Sequence, residues 1–221
     1  MAAAAAAAGW QKVDFEEDQT SLMAIRLQGA KPCPPGAFEE VMACRDAAQY
    51  SFTYFGKKTL LPRGQLFYAL NPLALTDYPY SGTKIPSTPM DAISAPVAEM
   101  LAAAYATSHQ ACEALGLAPQ AFNGVLLNLY ENGRDSVAAH SDDEDVMVPG
   151  APIVTISYGA TRQFAVYKKG EGKQYKKFML ADRDVVVMGG TMQTNFEHAI
   201  TKCANAGPRI SLTVRAFRDG L

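Results

Sequence analysis

Beyond Gly116 the chain breaks into short apolar runs, and no other feature restricts its fold as much. FNGVLLNLY, APIVTISYG, TRQFAVYKK, KKFMLA, DVVVMGG and PRISLTVRAF follow one another, separated by glycine, proline or charged turns. Runs of this length, rich in Val, Ile and aromatic residues, read as strands. Their even spacing, without helical segments between them, points to an antiparallel sandwich or jelly roll and away from βαβ units. Gly189-Gly190 stands alone, so neither a dinucleotide fingerprint nor a phosphate loop is present.

Helices belong to the first half of the chain, which makes the fold class α+β. SAPVAEMLAAAYATSHQACEALG carries the clearest helical signal: Ser94 can cap it, Pro96 suits its first turn and Gly116 can end it. His109 lies on this helix without an acidic partner and reads as a structural or exposed residue. A shorter supporting helix is expected after Pro35, with Glu39 and Glu40 in its first turn. Residues 21–30 read as a strand. Between them and the long helix, YSFTYFGKKTLLPRGQLFYAL suggests a hairpin with Phe55-Gly56-Lys57-Lys58 at its tip. Phe55 either folds back onto the core or forms an apolar wedge for a base stack, with lysines beside it for phosphates. TDYPYSG places Tyr78 and Tyr80 around a proline in a turn-rich loop.

A chain of 221 residues, 48% hydrophobic and 19% charged, fits one globular domain. We place it at residues 21–221, behind an N-terminal tail of residues 1–20 that opens with MAAAAAAAGW and is expected to be flexible. A formal net charge of −2 gives no global attraction to nucleic acid, so any polyanion must meet local basic patches. Cys33, Cys44, Cys112 and Cys203 are scattered, which suits reduced thiols in an intracellular protein. No stretch approaches the ~18 consecutive apolar residues of a membrane helix.

The stretch NLYENGRDSVAAHSDDE, residues 128–144, contains the chemistry. His140 and Asp142 are two apart, so on extended chain both leave the same face. The sequence holds three histidines, and His198 lies in NFEHAI, just after a strand. Two imidazoles and a carboxylate are the facial triad of non-haem Fe(II) oxygenases. Arg209 and Arg215 stand six apart on PRISLTVRAF, able to face one interior, where a buried guanidinium suits a dicarboxylate.

Together, N-x-Y-x-x-G-x-D-x-x-x-x-H-x-D-D-E over residues 128–144 and the closing PRISLTVR resemble the AlkB family of Fe(II)/2-oxoglutarate-dependent nucleic-acid dioxygenases, especially its double-strand-acting animal members. The likeness spans roughly residues 50–217. It implies a double-stranded β-helix core over about residues 120–217, supporting N-terminal helices, and a nucleotide-recognition lid over about residues 50–90. It implies that His140, Asp142 and His198 bind Fe(II) and carry the catalysis. Asn128 and Tyr130 would hydrogen-bond 2-oxoglutarate, with Arg209 at its far carboxylate and Arg215 beside its near end. Phe55 would be the finger that fills the gap left by an extruded nucleotide, with Arg63 near the lesion. Tyr78 and Tyr80 would lie against the flipped base, and Asp143 would read it.

The reaction implied is oxidative demethylation of bases such as 1-methyladenine and 3-methylcytosine in single- or double-stranded DNA. It consumes O₂ and 2-oxoglutarate and releases formaldehyde, succinate and CO₂. Demethylation of RNA and a catalytically silent nucleic-acid-binding module are the alternatives. A monomer without membrane contact is expected, nuclear in a eukaryote and otherwise cytoplasmic. Three departures from the family stand out. AITKCANAG carries Lys202 alone where the animal enzymes have a basic run, Ser211 replaces an Asn, and residues 1–49 match little. YKKGEGKQYKK groups Lys168, Lys169, Lys173, Lys176 and Lys177, either as a solvated turn or as a grip on phosphates.

Overall fold

The computed structural model describes residues 9–16, 18–54, 57–80 and 82–218. The first half of the chain supplies β1 (Gln11–Lys12), β2 (Ser21–Arg26), α1 (Ala37–Ala43), β3 (Ser51–Tyr54), β4 (Lys57–Leu60), β5 (Gly64–Ala69), β6 (Asp77–Tyr80), β7 (Thr83–Pro86) and α2 (Ala95–Leu115). The second half is nearly all strand: β8 (Gly124–Tyr130), β9 (Val137–His140), β10 (Ile153–Gly159), β11 (Arg162–Lys168), β12 (Gln174–Leu180), β13 (Val185–Gly190), a single helical turn α3 (Met192–Asn195), β14 (Phe196–Ile200) and β15 (Arg209–Arg215).

These strands make two antiparallel sheets, ordered β1-β2-β13-β10-β15-β8-β5 and β12-β11-β14-β9. Sequence-distant strands lie side by side, β14 between β11 and β9 and β15 between β10 and β8, as a double-stranded β-helix requires. The α+β jelly-roll core expected from the sequence is the fold.

Period-two alternation decides what the interior contains. On β15, Ile210, Leu212 and Val214 join Val125, Leu127 and Leu129 of β8 in the core shared with Val97, Met100 and Leu101 of α2. The alternate residues Arg209, Ser211, Thr213 and Arg215 turn to the opposite face and line an internal cavity. Every residue of β15 is therefore buried, but only one face is apolar. α2 forms where its signals lie: the Ser94 hydroxyl accepts from Val97 N–H, and Gly116 closes it at φ 68°.

Two further hairpins stand apart from the sheets. β3 pairs with β4, Tyr54 opposite Lys57, which puts the expected turn where the sequence placed it. Phe55 and Gly56, its tip, lie outside the described residues. TDYPYSG, read from sequence as a turn-rich loop, contributes β6 to the β6–β7 hairpin, with Tyr78 opposite Ile85.

The N-terminal boundary needs correction. β1 pairs with β2, Trp10 is only 5% exposed and Phe15 only 3%. Phe15 packs on Phe196, ring centroids 4.6 Å apart. Among the described residues the segment from residue 9 onward is docked, because its two aromatic side chains bury against partners far away in sequence. Residues 1–8 lie outside the description.

Candidate active site

His140 ends β9 and His198 sits mid-way along β14, paired directly across the ladder. Asp142 follows two residues later, where the chain has left the sheet. His140 Nε2 lies 3.4 Å from Asp142 Oδ1, and His198 Nε2 lies 3.7 Å from Asp142 Oδ2. One ligand atom from each residue falls within 4.8 Å of the other two, the compactness a single ion needs. His140 Nδ1 sits 2.9 Å from the Ala138 carbonyl; donating its proton there leaves the Nε2 lone pair directed inward. Phe164 stacks on His198, rings 13° from parallel, and fixes its plane.

Electrostatics prepare two of these side chains. Burial pushes the His198 imidazolium down to about 3, with His140 adding to the effect, so the ring is neutral at physiological pH. Burial alone would raise the Asp142 carboxyl. Arg215, 2.7 Å away, and the two imidazoles overcome it and hold the group ionised far below the usual range. Two neutral nitrogens and one carboxylate oxygen fit Fe(II).

The cosubstrate side shows a matching demand. Arg209 is 0% exposed, donates from Nη2 to Ser157 Oγ at 2.9 Å, and interacts with the Tyr130 side chain as well. Its Nε and Nη1 are buried without an acceptor, and burial draws its pKa down. A guanidinium held so asks for an anion, and a carboxylate is the acceptor whose geometry it matches. Arg209 lies 5.1 Å from the Tyr130 ring. Asn128 Oδ1 accepts from Arg63 Nε at 2.7 Å and from Gln65 Nε2 at 3.1 Å, which orients its amide.

His140, Asp142, His198, Asn128, Tyr130, Arg209 and Arg215 thus line one small cavity of about 40 Å³, partly open to solvent. Arg63 and Tyr80 line it as well, joined by a hydrogen bond from Arg63 Nη2 to the Tyr80 hydroxyl at 2.8 Å. Two expected base contacts lie elsewhere. Tyr78 is 0% exposed, enclosed by Phe67, Phe217 and Arg215, and hydrogen-bonded to Glu144. Asp143 does not line this cavity. It pairs with Lys169 at 3.2 Å in a neighbouring cleft, its side chain 64% exposed. Two residues around the site had no place in the sequence reading, Gln193 and Arg162, and Glu144, which closes the quoted motif, had no role assigned. Arg162 is fully buried, donates to the carbonyls of Asn132, Asp135 and Thr201, and lies 5.3 Å from the Tyr130 ring. A lone arginine inside the apolar run TRQFAVY was its signal.

Residues 37–215 match the family described as the 2OG-Fe(II) oxygenase superfamily. The chain belongs to that superfamily. Its relatives place it in the AlkB branch. It is 32% identical to the DNA oxidative demethylase ALKBH2 of Mus musculus, over 73% of this chain and 64% of the relative. It is 35% identical to the alpha-ketoglutarate-dependent dioxygenase alkB homolog 3 of Bos taurus, over 42% of this chain and 36% of the relative. This AlkB-family chain therefore spans under two thirds of the length of these curated relatives. The solved structure of OsALKBH1 superposes with a TM-score of 0.54, covering 88% of this chain and 96% of that one at 19% identity, a likeness of fold. Fe(II), 2-oxoglutarate and O₂ are the cofactor set of the superfamily, and the donor set described above fits them.

Proposed function

We propose that this protein removes alkyl groups from nitrogen atoms of damaged DNA bases such as 1-methyladenine and 3-methylcytosine. One observation supports this reading most: the triad and the anion-seeking Arg209 share a cavity with Arg63 and Tyr80, residues from the lid segment. Relatives named DNA oxidative demethylase supply the substrate class. His140, Asp142 and His198 would hold Fe(II). Arg209, with Tyr130 and Asn128 on the same wall, would hold 2-oxoglutarate. Together with O₂ these would supply the oxidising chemistry that releases a methyl carbon as formaldehyde.

The protein's own share is binding and orientation. Arg215 keeps Asp142 ionised and Phe164 fixes the His198 plane. N-Alkylated adenine and cytosine are cationic, and the adjoining cleft, which shares Asp142, is lined by Asp143, Glu144 and Asp145. A target in a duplex must be flipped out, at a cost of a few kcal/mol that is smallest for a weakly paired lesion. Lys173 and Lys177, exposed on the β11–β12 hairpin, stand ready to meet phosphates. The enzyme acts as an intracellular monomer in this reading, its four thiols free.

The test is removal of methyl from 1-methyladenine in an oligonucleotide, with Fe(II) and 2-oxoglutarate supplied and formaldehyde measured. Wild type should restore adenine and His140→Ala should lose the activity. Undiminished turnover by His140→Ala would refute the reading, and a strong preference for a matched RNA oligonucleotide would change its substrate.

A further inference from the structure

The ladder that holds His140 against His198 ends there, so the backbone conformation at Asp142 is set by something other than the sheet. Two side-chain bonds do this. Ser141 Oγ donates to the Phe196 carbonyl at 2.9 Å, tying the exit of β9 to the start of β14. The Asp142 N–H donates to Gln193 Oε1, also at 2.9 Å. Gln193 belongs to α3, the turn directly before the strand that carries His198. One residue of that turn therefore grips the backbone of Asp142 while the strand that follows delivers His198. The Gln193 amide has little choice of orientation: Asp142 N–H requires an acceptor, and Nε2 points to the Met188 sulfur at 3.5 Å.

The turn is itself fixed to the rest of the fold. Met192 is fully buried. Thr191 N–H donates to the Thr20 carbonyl, and Asn195 Nδ2 donates to Asp18 Oδ2 at 2.7 Å. Gly190, at φ 60°, brings the two backbones so close that a Cβ there would lie 1.9 Å from the Thr20 oxygen. A glutamine anchored in this way can hold its partner to a definite position rather than follow it.

We infer that Gln193 is a positioning residue for the metal: by accepting the Asp142 N–H it fixes the carboxylate in the orientation that completes the triad. This rests on the reading of His140, Asp142 and His198 as Fe(II) ligands. Groups that orient ligands from behind typically affect metal affinity 10- to 100-fold.

The full chain, free of metal, is titrated anaerobically with Fe(II) in saturating 2-oxoglutarate, and the visible charge-transfer absorption of the ternary complex is followed. Gln193→Met keeps volume and loses the acceptor; Gln193→Glu keeps an acceptor at the same reach. Gln193→Met should bind Fe(II) about tenfold more weakly, and Gln193→Glu should stay within about threefold of wild type. Gln193→Ala, which adds no bulk, should repeat the loss, and melting curves of the metal-free variants separate it from misfolding. A purely packing role gives the opposite order, with Met neutral and Glu damaging, and would overturn the inference. Unchanged Fe(II) affinity in both Met and Ala would overturn it as well. If wild type itself bound no Fe(II), the triad reading would fall first and the inference with it.

Discussion

Arg209 shows how much one buried side chain can disclose. It is enclosed by the fold, its neighbours Ser157 and Tyr130 offer neutral hydroxyls, and two of its nitrogens have no acceptor among the described residues. Burying a charge on such terms costs several kcal/mol unless an anion joins it. The site therefore gives up folding stability to keep affinity for a carboxylate. Opposite effects on the two properties follow for Arg209→Met, which removes the charge and keeps the bulk. The ligand-free variant should melt at a higher temperature than wild type. Its affinity for 2-oxoglutarate should fall about 10- to 100-fold or more, the worth of hydrogen bonds between charged groups. Thermal melts with and without 2-oxoglutarate measure both. A variant that melts lower and still binds 2-oxoglutarate would mean that Arg209 serves packing alone.

Elements differ in how plainly the sequence announces them. α2 is written in local signals, Ser94 before it and Gly116 after it, and it forms between them. Because Ser94 Oγ also donates to Glu40 Oε2 at 2.6 Å, Ser94→Ala should remove a cap and a tie to α1 together. We expect a loss of about 1 kcal/mol, lowering the melting temperature by about 2–4 °C. Fe(II) affinity should be unaffected, since α2 covers the face of the main sheet away from the cavity; a fall in affinity would contradict that separation. The strands after Gly116 were legible for a similar reason, their alternation being local. What alternation could not give was the filling of each face. Tyr78 and Tyr80 both point inward from β6, yet Phe67, Phe217 and Arg215 enclose Tyr78 while Tyr80 reaches the cavity. Asp143 lies in the cleft adjoining the cavity, paired with Lys169, a placement that proximity to a ligand in sequence could not give. Gln193 was illegible altogether, since its partner is a backbone N–H 51 residues away.

Across the whole molecule, the N-terminal segment is where a reading by composition fails and long-range packing decides. Its alanine run and cluster of acidic residues resemble a tail, yet Trp10 belongs to the core that α2 also joins and Phe15 to the core around Phe196. Asp18 then joins Thr20 and Ser21 to Asn195, so the segment reaches the turn that carries Gln193. Two buried aromatic side chains contribute about 1.5–3 kcal/mol each. Trp10 is the sole tryptophan, so its emission reports this segment alone. Native emission should be blue-shifted, and its red shift on addition of urea should coincide with the loss of β-sheet circular dichroism. A free tail would emit as exposed indole before any denaturant was added. A segment docked only weakly would shift at lower urea than the sheets. Coincident curves would instead make residues 10–20 part of one cooperative unit with the metal site. Removing those residues should then weaken Fe(II) binding as well as stability, because the support of α3 goes with them.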